Sequence, residues 1–360
     1  MIVVRAPFRL PLGGGGTDLP SYYHKHEGFL ITAAVNKYMY ININEPAIID
    51  KIKINYSKVE IIDIDQIDNL KHEIVKETLK YLKIKRPLEI SSMADLSAGT
   101  GMGSSSSYTV GLLHGLNAML RRFIPTKELA EEACKVEIEL IGKPIGKQDQ
   151  YAAAFGGITQ LDIDRRGNVV VTPLELDNEI IYELENRLMM FYTNIERDAN
   201  EILGEQSMKI VASDERRGTR NEKQVTSNKQ SEVRNQKLEG KNVNSAVEAM
   251  HKIKEIGYEV KETLIKGDVC GFGRLLNEHW LVKKSVSNKM SNSQIDDWYE
   301  LAMKNGALGG KVMGAGGGGF LLFCVGNGKR KHLRKTLENA GLKYMDFRFD
   351  WEGVKTLVNI

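Results

Sequence analysis

The sequence has 360 residues, 42% hydrophobic and 27% charged, a length that points to two domains and a composition that excludes wholesale disorder and fibrous structure. Its 50 basic and 47 acidic side chains leave a formal charge of +3, so no global field recommends nucleic acid or an anionic membrane as partner, and a small anionic substrate must rely on a local cluster. Three widely separated cysteines, Cys134, Cys270 and Cys324, fit neither a disulfide framework nor a zinc site, and no segment reads as a signal peptide or membrane span, so a reducing cytoplasm is expected.

Met1 to Leu10 and Leu30 to Asn44 are rich in Val, Ile and Tyr and predict strands. Between them, Gly13-Gly14-Gly15-Gly16-Thr17-Asp18 is too glycine-rich for a regular element and predicts a loop with freely placed backbone N–H groups, either a long turn or a close approach to a ligand. Further strands are expected within Ile48 to Ile64, a helix over Asn69 to Leu82, and a strand at Leu88 to Ser92. Gly99 to Ser107 follows, and after it Val110, Leu113, Leu116 and Leu120 mark one face of a helix. The order strand, glycine loop, helix is the arrangement that gathers backbone donors and the positive end of a helix dipole around a phosphate. The loop lacks the Gly-Lys-Ser/Thr ending of a Walker sequence, and its serines offer hydroxyls to phosphate oxygens or magnesium water, with a plain capped turn as the alternative.

Thr126, after Pro125, is expected to cap a helix with Leu129, Ala133, Val136 and Leu140 on one stripe. Glu137 lies at the border of that stripe, whereas Glu128, Glu132, Lys135 and Glu139 share the outer face, so Glu137 is the carboxylate turned inward. The helix should stop at Gly142, before Pro144, and the loop Lys143 to Asp149 then leads into the small-residue segment Tyr151 to Gly157. Leu188 to Tyr192 predicts a strand opening a second domain, and Glu201 to about Leu203 a helix. From Gln206 to Lys241, 9 Lys/Arg stand against 5 Asp/Glu with no aromatic residue, which predicts a solvated, mobile helix or loop rather than a nucleic-acid arm. Helical patterns return in Ala246 to Ile256, Val269 to Trp280 and Gln294 to Asn305, and a third glycine loop, Lys311 to Phe320, precedes the strand-like Leu321 to Val325.

Three segments in order, Ala6-Pro-Phe-Arg-Leu-Pro-Leu-Gly-Gly-Gly-Gly-Thr-Asp18, Gly101-Met-Gly-Ser-Ser-Ser-Ser107 and Lys311-Val-Met-Gly-Ala-Gly-Gly-Gly-Gly319, resemble the signature motifs of the GHMP kinases, the superfamily of galactokinase, homoserine kinase, mevalonate kinase and phosphomevalonate kinase. Glu137-Ile-Glu-Leu-Ile-Gly-Lys-Pro-Ile-Gly-Lys-Gln-Asp149-Gln resembles the galactokinase stretch with the metal-binding glutamate and the catalytic aspartate. Within the superfamily, Gly13 to Tyr23, Gly146-Lys-Gln-Asp-Gln-Tyr151, Phe191-Tyr-Thr with Arg197 and Ala199, and Gly309 to Gly316 are most similar to the D-glycero-D-manno-heptose 7-phosphate kinases. Gly15-Gly16 stands where galactokinases carry Glu-His, a departure that argues against galactose.

The resemblance implies an α+β fold of two domains, 1–187 binding ATP and 188–360 carrying a ferredoxin-like sheet, with the active site between them. It implies ATP and Mg2+, with Asp149 and Arg9 catalytic. Gly99, Gly101, Met102, Gly103, Ser104, Ser105, Ser106 and Ser107 would hold ATP, and Ser105 and Glu137 the metal. Gly15, Gly16, Thr17, Asp18, Lys147, Arg197, Gly316 and Gly317 would face a sugar phosphate, the expected acceptor of the γ-phosphoryl at its anomeric hydroxyl. Further candidates for the acceptor's own phosphate are His24, Lys25, Lys283 and Lys284. Fucose, another sugar, a mevalonate-type alcohol or a non-catalytic binding role remain as alternatives, and a homodimer is compatible with the family.

Overall fold

The computed structural model describes residues 1–195, 199–227, 246–287 and 289–360. In chain order the first half runs β1 (Ile2–Gly13), α1 (Pro20–His26), β2 (Gly28–Asn44), β3 (Lys51–Asn55), β4 (Val59–Asp63), α2 (Glu73–Tyr81), β5 (Leu88–Ala94), α3 (Ser104–Met119), α4 (Thr126–Cys134), α5 (Gln148–Phe155), β6 (Ile158–Ile163), β7 (Val169–Pro173) and α6 (Asn178–Arg187). The second half continues with β8 (Leu188–Tyr192), α7 (Ala199–Ser227), α8 (Ala246–Ile265), α9 (Val269–Val286), α10 (Ser293–Lys304), β9 (Ala307–Val312), β10 (Phe320–Val325), α11 (Arg330–Asn339), β11 (Lys343–Met345) and β12 (Lys355–Asn359).

The larger sheet has eight strands. Its main path is β12-β1-β2-β5-β3-β4, and β6 joins the far half of the long β2 and carries β7. β1 lies against β2 from Ile2↔Ile43 to Gly13↔Ile31, with register shifts after Pro7 and Pro11, where proline supplies no ladder N–H. The shift after Pro7 frees Asn36, whose N–H reaches Arg348, and Val35 bridges to Phe349. Helix α3 packs on this sheet at short range: a Cβ on Gly115 would stand 2.7 Å from Ile43 Cδ1 and 3.1 Å from Val4 Cγ2, so any larger residue there would push those side chains aside. That closeness sets the start of α3, and hence the serines, beside the end of β1.

The second sheet, antiparallel with order β11-β8-β10-β9, has its four strands in the 4-1-3-2 arrangement of a ferredoxin-like sheet, as expected. We propose to keep the division at Arg187, where α6 ends and β8 begins. The second half does not stay with its own sheet, however, because β12 returns to pair antiparallel with β1. Among the described residues, no helix is long and apolar enough to cross a membrane, and all three cysteines are free thiols.

Several local expectations change. Thr126 is the first helical residue of α4, Pro125 takes the capping position, and no side-chain cap bond forms. Lys135–Leu140 winds as a π-helical turn, which advances the stripe so that Leu140 is exposed while Glu137 stays fully buried. Asp149 lies in the first turn of α5 rather than in a loop. Helix α7 runs on to Ser227, so the first part of the polar stretch 206–241 is helical, and its remainder lies outside the described residues.

Candidate active site

A cavity of about 820 Å³ is lined by all three glycine segments: Gly15, Gly16 and Asp18 from the first, Gly99 to Ser106 in part from the second, and Gly314 and Ala315 from the third. The second segment is built to present backbone. Gly103 is the residue before α3, with φ +80, a left-handed conformation that puts the N–H groups of the first α3 turn at the cavity wall. A Cβ there would also come within 3.0 Å of Asp149 Oδ2, so the loop and the carboxylate are fitted to one another. Gly99, Gly101, Ser104, Ser105 and Ser106 line the cavity too. Two residues expected to hold ATP have other tasks: Met102 is fully buried with its carbonyl accepting Arg9 N–H, and Ser107 Oγ donates to Pro7 O at 2.8 Å, fastening α3 to β1.

Arg9 projects from β1 past the Pro7 irregularity and is almost wholly buried. Its Nε donates to Asp149 Oδ1 at 2.6 Å and its Nη2 to Oδ2 at 2.9 Å, while Nη1 donates to Gly101 O at 2.6 Å. This two-pronged clamp fixes the carboxylate in plane and ties it to the second glycine loop. Asp149 retains partial access to the cavity.

Glu137, fully buried on the π-helical turn, lies behind the cavity wall and is bonded to two residues that line it, Ser105 and Lys143. Its Oε1 accepts from Ser105 Oγ and from Lys143 Nζ, the latter at 2.9 Å, and its Oε2 accepts from Gln150 Nε2 at 2.8 Å. Lys143 Nζ also reaches Ser105 Oγ at 2.6 Å, so an ammonium already bridges the hydroxyl and the carboxylate. That pair is a hard oxygen donor set of the kind magnesium takes with nucleotide phosphates, and the bridging ammonium shows that the spot favours positive charge.

On the acceptor side, Asp18 is buried, with Oδ1 accepting Gly16 N–H at 3.0 Å and Oδ2 accepting Gln148 N–H at 2.9 Å. Burial pushes its carboxyl up from the ordinary range, the amide donors pull against that, and nearby Asp149 adds to the rise. Thr17 does not face the cavity: its hydroxyl is spent on Gly14 O, Phe29 O and Phe29 N–H inside the loop. Lys147 is likewise turned away, donating to Gly167 O beside the Tyr23 ring and lining a separate cavity of about 550 Å³. Gly316 and Gly317 pack on Met290, whose carbonyl accepts Gly317 N–H, and the cavity is met instead by Gly314 and Ala315. Arg197 lies outside the described residues.

The model of the GHMP kinases N terminal domain matches residues 69–157, and that of the GHMP kinases C terminal region matches 260–341. A D-glycero-alpha-D-manno-heptose 7-phosphate kinase of Campylobacter jejuni is 32% identical over 99% of this chain and 98% of its own. The chain belongs to the GHMP kinase family. A galactokinase of Pyrococcus furiosus is 26% identical over 98% of this chain and 95% of its own. The crystal structure of a D-glycero-D-manno-heptose 1-phosphate kinase from Bacteroides thetaiotaomicron superposes with a TM-score of 0.74 at 26% identity, covering all of both chains. As a GHMP kinase, the protein is an ATP-dependent phosphotransferase with a hydroxyl acceptor.

Other residues of this GHMP kinase meet the cavity without having been singled out in the sequence. At one end Tyr56, His72 and Tyr108 make an aromatic group, with His72 stacked on Tyr108 at a centroid distance of 4.9 Å and Tyr56 edge-on to His72 at 4.7 Å. At the other, His279 and Lys283, one helical turn apart on α9, meet Lys311 from β9. Of the basic residues considered for an acceptor phosphate, Lys283 alone among the described ones faces this cavity. His24 bonds Arg165 O, Lys25 pairs with Asp214, and Lys284 pairs with Asp296.

Proposed function

We propose that this kinase transfers the γ-phosphoryl of ATP to the anomeric hydroxyl of D-glycero-D-manno-heptose 7-phosphate, giving heptose 1,7-bisphosphate for nucleotide-activated heptose and surface polysaccharide. The observation that carries the reading is the Arg9–Asp149 clamp at the meeting point of three glycine segments, where an acceptor hydroxyl and a terminal phosphate could both reach the carboxylate. The names of two full-length relatives, one a heptose 7-phosphate kinase and the other a heptose 1-phosphate kinase, support a heptose phosphate as the acceptor, and the first supports its phosphate at position 7.

In this mechanism the nucleotide lies with its base at the aromatic end and its phosphates along Gly99 to Ser106. Asp149 accepts the proton of the anomeric hydroxyl, the hydroxyl oxygen bonds to the γ-phosphorus, and the bond from that phosphorus to the β–γ bridging oxygen breaks, releasing ADP. Arg9 holds the carboxylate in line and contributes fixed positive charge as the transferred group passes across. Ser105 and Glu137 would hold Mg2+, which neutralises phosphate charge when bound. Such chemistry fits a cytoplasmic setting, where ATP is at hand.

The test is mass and 31P NMR analysis of products from ATP with heptose 7-phosphate, heptose 1-phosphate, unphosphorylated heptose, fucose, galactose and mevalonate, each alone. A bisphosphate formed at position 1 from the 7-phosphate, at the highest kcat/KM of the panel, is expected. Faster turnover of fucose or mevalonate would replace the proposed acceptor.

A further inference from the structure

Lys311 is 1% exposed, and its ammonium donates to the carbonyl of Leu12 at 3.3 Å. Among the described residues it has no ion pair. His279 is equally buried, and neither ring nitrogen has a hydrogen-bond partner, although the side chain lines the cavity. Lys283, 7% exposed, donates to Gly314 O at 2.6 Å. The two carboxylates that line the cavity are already committed, Asp149 to Arg9 and Asp18 to two backbone amides. A buried ammonium without a counter-charge beside an unpartnered imidazole is costly in an empty protein, and polar groups of this kind are retained where a ligand completes them.

We propose that His279, Lys283 and Lys311 form the subsite for the phosphate that the sugar acceptor already carries, an inference that rests on the sugar-phosphate reading above. The nucleotide's phosphates have donors of their own in the second glycine loop, the first turn of α3 and Lys143. The three residues here come from the second half of the chain and tie to Leu12 and Gly314, at the entrances of the first and third glycine segments. They therefore flank Asp149 on the acceptor side. Burial, with Lys283 and Arg9 nearby, drives the Lys311 ammonium well below its usual range, and burial with both lysines does the same to His279. A phosphate dianion supplies the missing counter-charge to Lys311, a further acceptor within reach of Lys283, and an acceptor for the imidazole N–H.

Calorimetric titration of the full chain with heptose 7-phosphate, unphosphorylated heptose, ADP and a non-hydrolysable ATP analogue tests this for wild type, Lys311→Met and His279→Gln. The wild type should prefer the phosphorylated sugar by about a hundredfold or more, and each variant should reduce that preference about tenfold or more with both nucleotide affinities unchanged. Variants that keep the preference would overturn the subsite while leaving the acceptor assignment standing. Weakened binding of the ATP analogue but not of ADP would assign the cluster to ATP's terminal phosphate instead. A wild type without preference for the phosphorylated sugar would refute both the acceptor and the subsite. Melting curves accompany each variant, and His279→Gln carries the test should Lys311→Met not fold.

Discussion

Asp149→Asn keeps the shape of the side chain and removes its charge, so its cost can be divided between structure and chemistry. In the protein, Arg9 gives Asp149 two hydrogen bonds, at 2.6 and 2.9 Å, from an almost buried guanidinium. Asparagine retains one acceptor and turns an NH₂ toward the other Arg9 donor, so one charge-assisted bond, worth about 1.5 to 3 kcal/mol, is lost. The clamp to Gly101 O does not involve Asp149 and should hold the second glycine loop in place. Stability should thus drop modestly and ADP affinity should change by less than about threefold. Turnover should fall by about 10² to 10⁴, the contribution of a positioned base, or roughly 2.7 to 5.5 kcal/mol of barrier. Coupled ADP-release kinetics, ADP calorimetry and a melting curve on one preparation separate these effects. A variant that melts lower yet turns over within about threefold of wild type would reduce Asp149 to a counter-ion for Arg9, and the base would have to be sought elsewhere.

Glu137→Gln should raise the magnesium needed for half-maximal rate about tenfold or more, whereas Glu139→Gln, on the exposed side of the π-helical turn, should leave it unchanged; equal responses in a magnesium titration would break the assignment. Gly103→Ala forces a side chain into a left-handed backbone, at about 1 to 2 kcal/mol, and against Asp149, so kcat should fall at least about tenfold by the ADP-release assay. His279 is held neutral by burial and by Lys311 and Lys283, so its folded pKa lies below the ordinary 6.5 and the unfolded chain binds the extra proton. Stability is therefore complete above about pH 6.5 and is lost as pH falls through that value toward the folded pKa. The melting temperature of His279→Leu, scanned from pH 7.5 to 5, should decline less steeply than that of wild type.

Much of the site could be read in the chain because glycine and serine carry their meaning locally: Gly99 to Ser107 before a helix, and an inward Glu137, are statements about neighbours in sequence. What escaped depends on tertiary context. The sequence places Lys311 in a glycine loop, yet β9 extends to Val312 and its ladder with β10 buries that lysine. His279 and Lys283 stand four apart on a buried face that also holds Leu276 and Trp280, a pattern visible in the sequence that could have singled them out. Closeness to Asp149 in sequence points Lys147 toward the site, but helix α5 begins between them and sends the two side chains to different cavities. Leu140 moved to the surface because a π-helical turn is a register change that hydrophobic spacing does not announce. The short strands β6 and β12 owe their existence to partners far away in the chain, β2 and β1.

The placement of β12 has a bearing on how the protein comes to be folded. β1 precedes β12 by nearly the whole of this sequence, so the partner on one of its edges is synthesised only after the whole second sheet, as in the pairing Ile2↔Asn359. Until then the stretch Ile2 to Arg5 of a largely apolar strand waits with one row of N–H and C=O groups open, the circumstance in which nascent chains join edge to edge. Closing so large a loop is slow, which favours completion of the second sheet first, since its hairpin and its neighbours lie closer together along the chain. The same topology means that a fragment cut at Arg187 would not be a smaller copy of the first domain. It would be a sheet missing its outer strand.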